Sequence, residues 1–398
     1  GTGSIAIGKN AGQGFQGLKS IAIGFTAGQV SQSTDTIAIG DTAGQNSQGI
    51  GSVAIGYASG QTLQGSNSVS IGYSAGAGTQ SSNSIAIGYQ AGFGLQNIYT
   101  TAIGYQAGMT NQGSGAISLG YLAGQNTQGT FGIAIGGEAG RYSQSNYTIA
   151  IGSQAGMTNQ SSSAVSIGTL AGSLQQGTNS IAIGSSAGAV SQQTNSIAIG
   201  SNSGEEKQNS NSIAIGYATG QSLQGTGSIA LGKYAGQGTQ GINSIAIGNS
   251  AGNQSQQSSS IAIGNQTAFY SQGTQTVAIG DSSANYLQSQ GSVAIGYFAG
   301  ASGQASNSIA IGYKSAFTQQ GANSIAIGNI SAQFTQGASS IAIGNSAGLA
   351  LQGIDSIAIG TTSGASGQGA ESISIGNSAG RYNQSTQSIS IGVRAGTT

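Results

Sequence analysis

The amino-acid sequence predicts an all-β protein, a parallel β-solenoid of 25 coils of 16 residues each. Three observations predict it. A tetrad of the form Ile-Ala-Ile-Gly, first at Ile5 to Gly8, recurs every 16 residues through Ile389 without insertion or deletion. The 398 residues include 73 Gly and no Pro, which suits short strands joined by tight turns and disfavours helix. Only 4% of residues are charged, eight cations against eight anions, where an ordinary soluble domain has about 25%. So little solvating surface predicts self-association.

The typical unit opens on Ser-Ile-Ala-Ile or a close variant of it, a period-2 strand with aliphatic residues on one face and tiny ones on the other. Ile5, Ile7, Ile21, Ile23, Ile213 and Ile215 are expected to point into the coil and stack as its core. Ser4 and Ala6, Ser20 and Ala22, and Ser212 and Ala214 would then face outward. A whole face limited to tiny side chains predicts another sheet packed closely on it, so this face is the expected oligomer contact.

The next residue, as at Gly8, Gly24 and Gly216, is Gly in all 25 units. It reads as a corner, where positive φ costs Gly least. Tyr57, Tyr73, Tyr89, Tyr105 and Tyr121 follow that Gly in five successive units. They read either as like-on-like rungs that stabilise the stack or as an aromatic edge for a ligand.

A second short strand and a return arc through Gln close the coil. Gln16, Gln32, Gln48, Gln64, Gln224 and Gln384 belong to a column that is Gln in every complete unit. It predicts a ladder in which each primary amide bonds the Gln of a neighbouring coil. All 16 charges fall at the variable positions. Residues 1–398 read as a single continuous solenoid without separate caps. Coils stacked about 4.8 Å apart would give a rod on the order of 120 Å.

Composition excludes most chemistry. The chain has no Cys and no His, so the usual nucleophiles, general bases and transition-metal ligands are missing. The one acidic cluster, Glu205-Glu206-Lys207, places adjacent residues on opposite faces of a strand and makes a poor acid/base pair. Four Asp are too few for the calcium-binding nonapeptide repeat. Scattered Lys and Arg form no basic stripe for nucleic acid, and no apolar run reaches the roughly 18 residues of a membrane span. No enzyme, cofactor, metal or catalytic residue is expected.

Ser-Val-Ala-Ile-Gly at Ser52 to Gly56 and Ser292 to Gly296, with Asn-Ser-Ile-Ala-Ile-Gly at Asn83 to Gly88 and Asn179 to Gly184, resembles the head repeats of trimeric autotransporter adhesins of the YadA type. Similar motifs occur in phage and viral fibre proteins. The resemblance implies a left-handed parallel β-roll, three rolls packed around an axis, a cell-surface location and adhesion to host or matrix molecules.

The expected function is structural: an extracellular fibre or filament subunit that self-associates through its Ser/Ala face and open coil ends. The alternative is a binding module, a trimeric adhesin head or viral fibre with glycan or extracellular-matrix partners. Ice binding is the third reading. Cell surface, secreted or virion surface are the expected locations.

Overall fold

A computed structural model describes residues 1–397. The fold divides into two compact units, Gly1–Ser201 and Asn202–Thr398, built from the same coil. Among the described residues every regular element is a β-strand, and the protein is an all-β parallel solenoid.

Each coil carries a three-residue strand such as Ile21–Ile23 and then a tight turn, and most coils add a short strand ending in Gln such as Ser31–Gln32. The first unit holds thirteen of the former, Ile5–Ile7 to Ile197–Ile199, and the second holds twelve, Ile213–Ile215 to Ile389–Ile391. Because no repeat carries an insertion, pairing is parallel and offset by one repeat throughout a unit: Ile21 meets Ile37, Ala22 meets Ala38, and Gln32 meets Gln48. Backbone bonds run to both neighbours. The Ile21 N–H donates to the Thr36 carbonyl at 2.9 Å, and the Gly24 N–H donates back to the Ile7 carbonyl at 2.8 Å.

Gly40 has φ +130, and a Cβ there would stand 2.5 Å from the Gly56 carbonyl oxygen. Both the dihedral and the coil-to-coil approach therefore demand Gly. Two residues later the backbone turns left-handed on side chains that resist it, including Leu122 at φ 56 and Ile330 at φ 48, a strain the stacked ladders must hold in place.

The sense of the strand is the reverse of the expectation. Ala22 and Ala214 are fully buried and so are Ser20 and Ser212, whereas Ile21, Ile23, Ile213 and Ile215 are only half-buried and lie on the outer face. Ser4 and Ala6 hold the same inward register, Ala6 pairing with Ala22 and Ile5 and Ile7 with Ile21 and Ile23. The reason is width. A Cβ added to Gly60 would stand only 3.3 Å from the Ala54 Cβ across the coil, so the interior accepts methyl groups and not two Ile per turn. The core is accordingly alanine, with Ala22, Ala27, Ala38, Ala43 and Ala54 in one cluster and the run from Ala230 to Ala358 in another.

Candidate functional site

Turning the Ile outward places two aliphatic rows on the outer face. The two Ile rows lie in register on one sheet face; most of their side chains are half-buried, and the most open inside the stack reach 36% at Ile71 and Ile167 in the first unit and 40% at Leu231 in the second. No charged residue occupies either row. The Ser/Ala face expected to form the oligomer contact is instead consumed inside the coil. There the Ser20 hydroxyl donates to the Ser33 carbonyl at 2.6 Å and Ser4 to Gly17 at 2.6 Å.

The glutamine column also points inward. Gln32 and Gln224 are fully buried, and Gln48 and Gln64 nearly so. The invariant bond is intracoil: Nε2 of Gln32 donates to the Ile21 carbonyl at 2.8 Å, Gln16 to Ile5 at 2.8 Å, Gln48 to Ile37 at 2.7 Å, Gln224 to Ile213 at 2.7 Å and Gln384 to Ile373 at 3.0 Å. Each amide thus ties the two strands of its coil together across the alanine interior. Amide-to-amide steps come in runs, as from Gln96 to Gln112 to Gln128 and from Gln144 through Gln160 to Gln176. Between runs, buried Oε1 atoms such as those of Gln32, Gln64, Gln96 and Gln272 have no partner.

The five tyrosines stack. Tyr57, Tyr73, Tyr89, Tyr105 and Tyr121 follow one another at ring-centroid distances of 5.0, 5.2, 5.1 and 5.4 Å with interplanar angles of 18° or less. Because the ring faces cover each other, the column offers solvent mainly ring edges and hydroxyls. A second amide column escaped the sequence reading. Gln29 donates to Gln13, Gln45 to Gln29 and Gln61 to Gln45 at 3.1–3.2 Å along the outer turn, a ladder signalled only by Gln recurring at the 16-residue spacing.

The repeat itself matches a known family model, the YadA head domain repeat, in two copies at residues 176–203 and 288–315. Each match runs from a buried Gln through two successive Ile-x-Ile or Val-x-Ile strands. These two segments are similar to YadA-type head repeats. A search of the curated proteins found no match. YadA-type heads are adhesin structures, trimeric and surface-exposed rather than enzymatic.

Charged groups of the coil are engaged by neighbouring side chains. Glu205 accepts from Asn202 at 3.0 Å and from Gln221 at 2.7 Å, so it serves the outer amide column. Arg141 pairs with Glu138 at 3.0 Å, bonds Gln125 and lies over the Tyr142 ring. Among the described residues no three His, Cys, Asp or Glu come together as a metal site, and no helix is long and apolar enough to cross a membrane.

Proposed function

We propose that the chain is the head or shaft of a surface-exposed adhesin-type fibre, in which three copies pack side by side through their Ile-x-Ile faces. One observation carries this reading: the largest aliphatic side chains of every coil stay half-exposed while the interior is filled by alanine. A monomer rarely leaves apolar surface open beyond a few hundred Å², and here the exposure repeats coil after coil. The face is uncharged, so its burial leaves no ion unpaired, and identical registers in each copy suit a closed cyclic assembly.

In that assembly the structural role and the binding role are two sides of one coil. The Ile rows hold the copies together. The variable positions of the turns, where every charge and most aromatics sit, meet glycan or matrix partners. Growth of the assembly end to end into longer fibres is compatible with the same lateral packing.

Mass measurement of the purified chain by multi-angle scattering or sedimentation tests the reading. A mass of three chains is expected. A stable monomer at micromolar concentration would overturn it.

A further inference from the structure

The second unit contains an interrupted aromatic ladder, and we propose that the gap is a binding site for a single neutral hexopyranose. The inference rests on the adhesin-type reading above and gives it a ligand class. Tyr270 and Tyr286 stack at 4.9 Å with an interplanar angle of 12°. At the same place in the next coil stands Ser302, so among the described residues the second face of Tyr286 meets no ring. One coil further on, Phe317 stands beyond Ala301, edge-on to Phe298 at 5.7 Å. The missing side chains at Ala301 and Ser302 leave a notch of about 230 Å³ lined by Tyr286, Phe298 and Phe317.

Size and spacing bound the guest. The volume lies below the roughly 300 Å³ at which drug-sized pockets begin, so it takes one ring. Tyr286 and Phe317 stand two coils apart in neighbouring columns of the repeat, and the coil of Ala301 and Ser302 between them leaves room about one ring thick at the usual strand spacing. A flat ring stacks at a similar spacing in the tyrosine ladders, so it is the polar lining of the notch that selects a saturated ring with hydroxyls.

Polar groups suited to vicinal hydroxyls line the same notch. Asn285 Nδ2 donates to the Gln266 carbonyl at 2.9 Å, which fixes the amide and leaves its Oδ1 to accept from a hydroxyl. The Gln266 amide and the Ser302 hydroxyl add a donor and acceptor each. The flanking charges are one of each sign: Asp281, bonded to Ser282 at 2.8 Å, and Lys314, over the Phe317 ring. That balance selects an uncharged ligand. One such notch per copy would act multivalently in an oligomer.

The test is titration of the purified full-length protein with methyl glycosides of glucose, galactose, mannose and N-acetylglucosamine, followed by calorimetry or saturation-transfer NMR. Saturable binding of at least one, on the order of millimolar as expected for so few atoms, supports the site. Tyr286→Ala should weaken it at least about fivefold. Ser302→Tyr, which restores the missing rung without opening the fold, should abolish it. Tyr73→Ala, in the other ladder, should leave it unchanged. Absence of saturable binding by all four glycosides, or undiminished binding by Ser302→Tyr, overturns the proposal. So does binding of indole in their place. The mass of the same sample separates the two readings: a trimer that binds no sugar overturns the site alone, and a monomer that binds sugar supports the site while overturning the assembly.

Discussion

The hydroxyl of Ser70 donates to Oε1 of Gln80 at 2.6 Å inside the coil, and it can do so only because residue 76 is Gly. A Cβ on Gly76 would overlap the Ser70 Oγ, and the same holds for Gly124 against Ser118 and Gly172 against Ser166. The four coils that carry Ala at this place, Ala268, Ala284, Ala316 and Ala332, all have Ala at the strand centre: Ala262, Ala278, Ala310 and Ala326. Serine on the strand and alanine on the turn exclude each other because they compete for one volume.

That exclusion predicts a non-additive pair. Gln272 Oε1 is buried without a partner, so Ala262→Ser offers it a donor but collides with the Ala268 methyl, and the single variant should lose stability. Ala268→Gly removes a left-handed alanine at φ 48, worth roughly 1 kcal/mol of strain, and opens the space. The double variant should exceed the sum of the singles by on the order of 1–2 kcal/mol. Thermal and denaturant midpoints of the four proteins close the cycle.

The two glutamine columns should respond differently to one substitution. Gln224→Leu deletes a buried bond to the Ile213 carbonyl and the amide-to-amide bond that Gln208 donates to Gln224. A loss of about 2–4 kcal/mol is expected from the buried Ile213 carbonyl stripped of its glutamine donor and from the lost amide bond. Gln45→Leu breaks bonds to Gln29 and Gln61 at a half-buried outer turn, where water can replace them. Its cost should stay near 0.5 kcal/mol. Equal effects, read from urea midpoints, would show that the inner amides are not the crossties of the coil.

Much of this architecture was legible in the sequence, because a period of 16 without slippage fixes register and because Gly40 and its equivalents admit no other residue. What the period could not reveal was which face of Ile-Ala-Ile points inward. Alternation separates Ala22 from Ile21 and Ile23 but is blind to the width of the coil, and hydrophobicity alone favoured Ile inside. The clue lay opposite the strand, where Ala27 and Gly28 leave room only for methyls. The left-handed turn residues were illegible for a different reason: Leu122 and Ile330 disfavour that conformation, so nothing local announces it.

The orientation yields a paired prediction. Ile85→Glu with Ile87→Glu places two charges on the outer face, and the coil should keep its β circular dichroism while the assembly dissociates. Ala86→Ile, one residue between them, forces a large side chain into a methyl-wide interior and should destabilise by about 3 kcal/mol or more. If Ala86→Ile folded normally and the double Glu variant unfolded, the expected sense of the strand would be restored.

The tyrosine ladder offers the last separation, between a column that stabilises by stacking and one whose hydroxyls act. Tyr89 sits between Tyr73 at 5.2 Å and Tyr105 at 5.1 Å, so Tyr89→Ala removes two ring contacts. At about 0.5–1.5 kcal/mol each beyond area burial, the expected loss is about 1–3 kcal/mol. Tyr89→Phe keeps both contacts and should leave the unfolding midpoint unchanged. A Phe variant as unstable as the Ala variant would mean that the hydroxyl row, and not the stacked faces, holds these coils together, and would make that row the next place to seek a ligand.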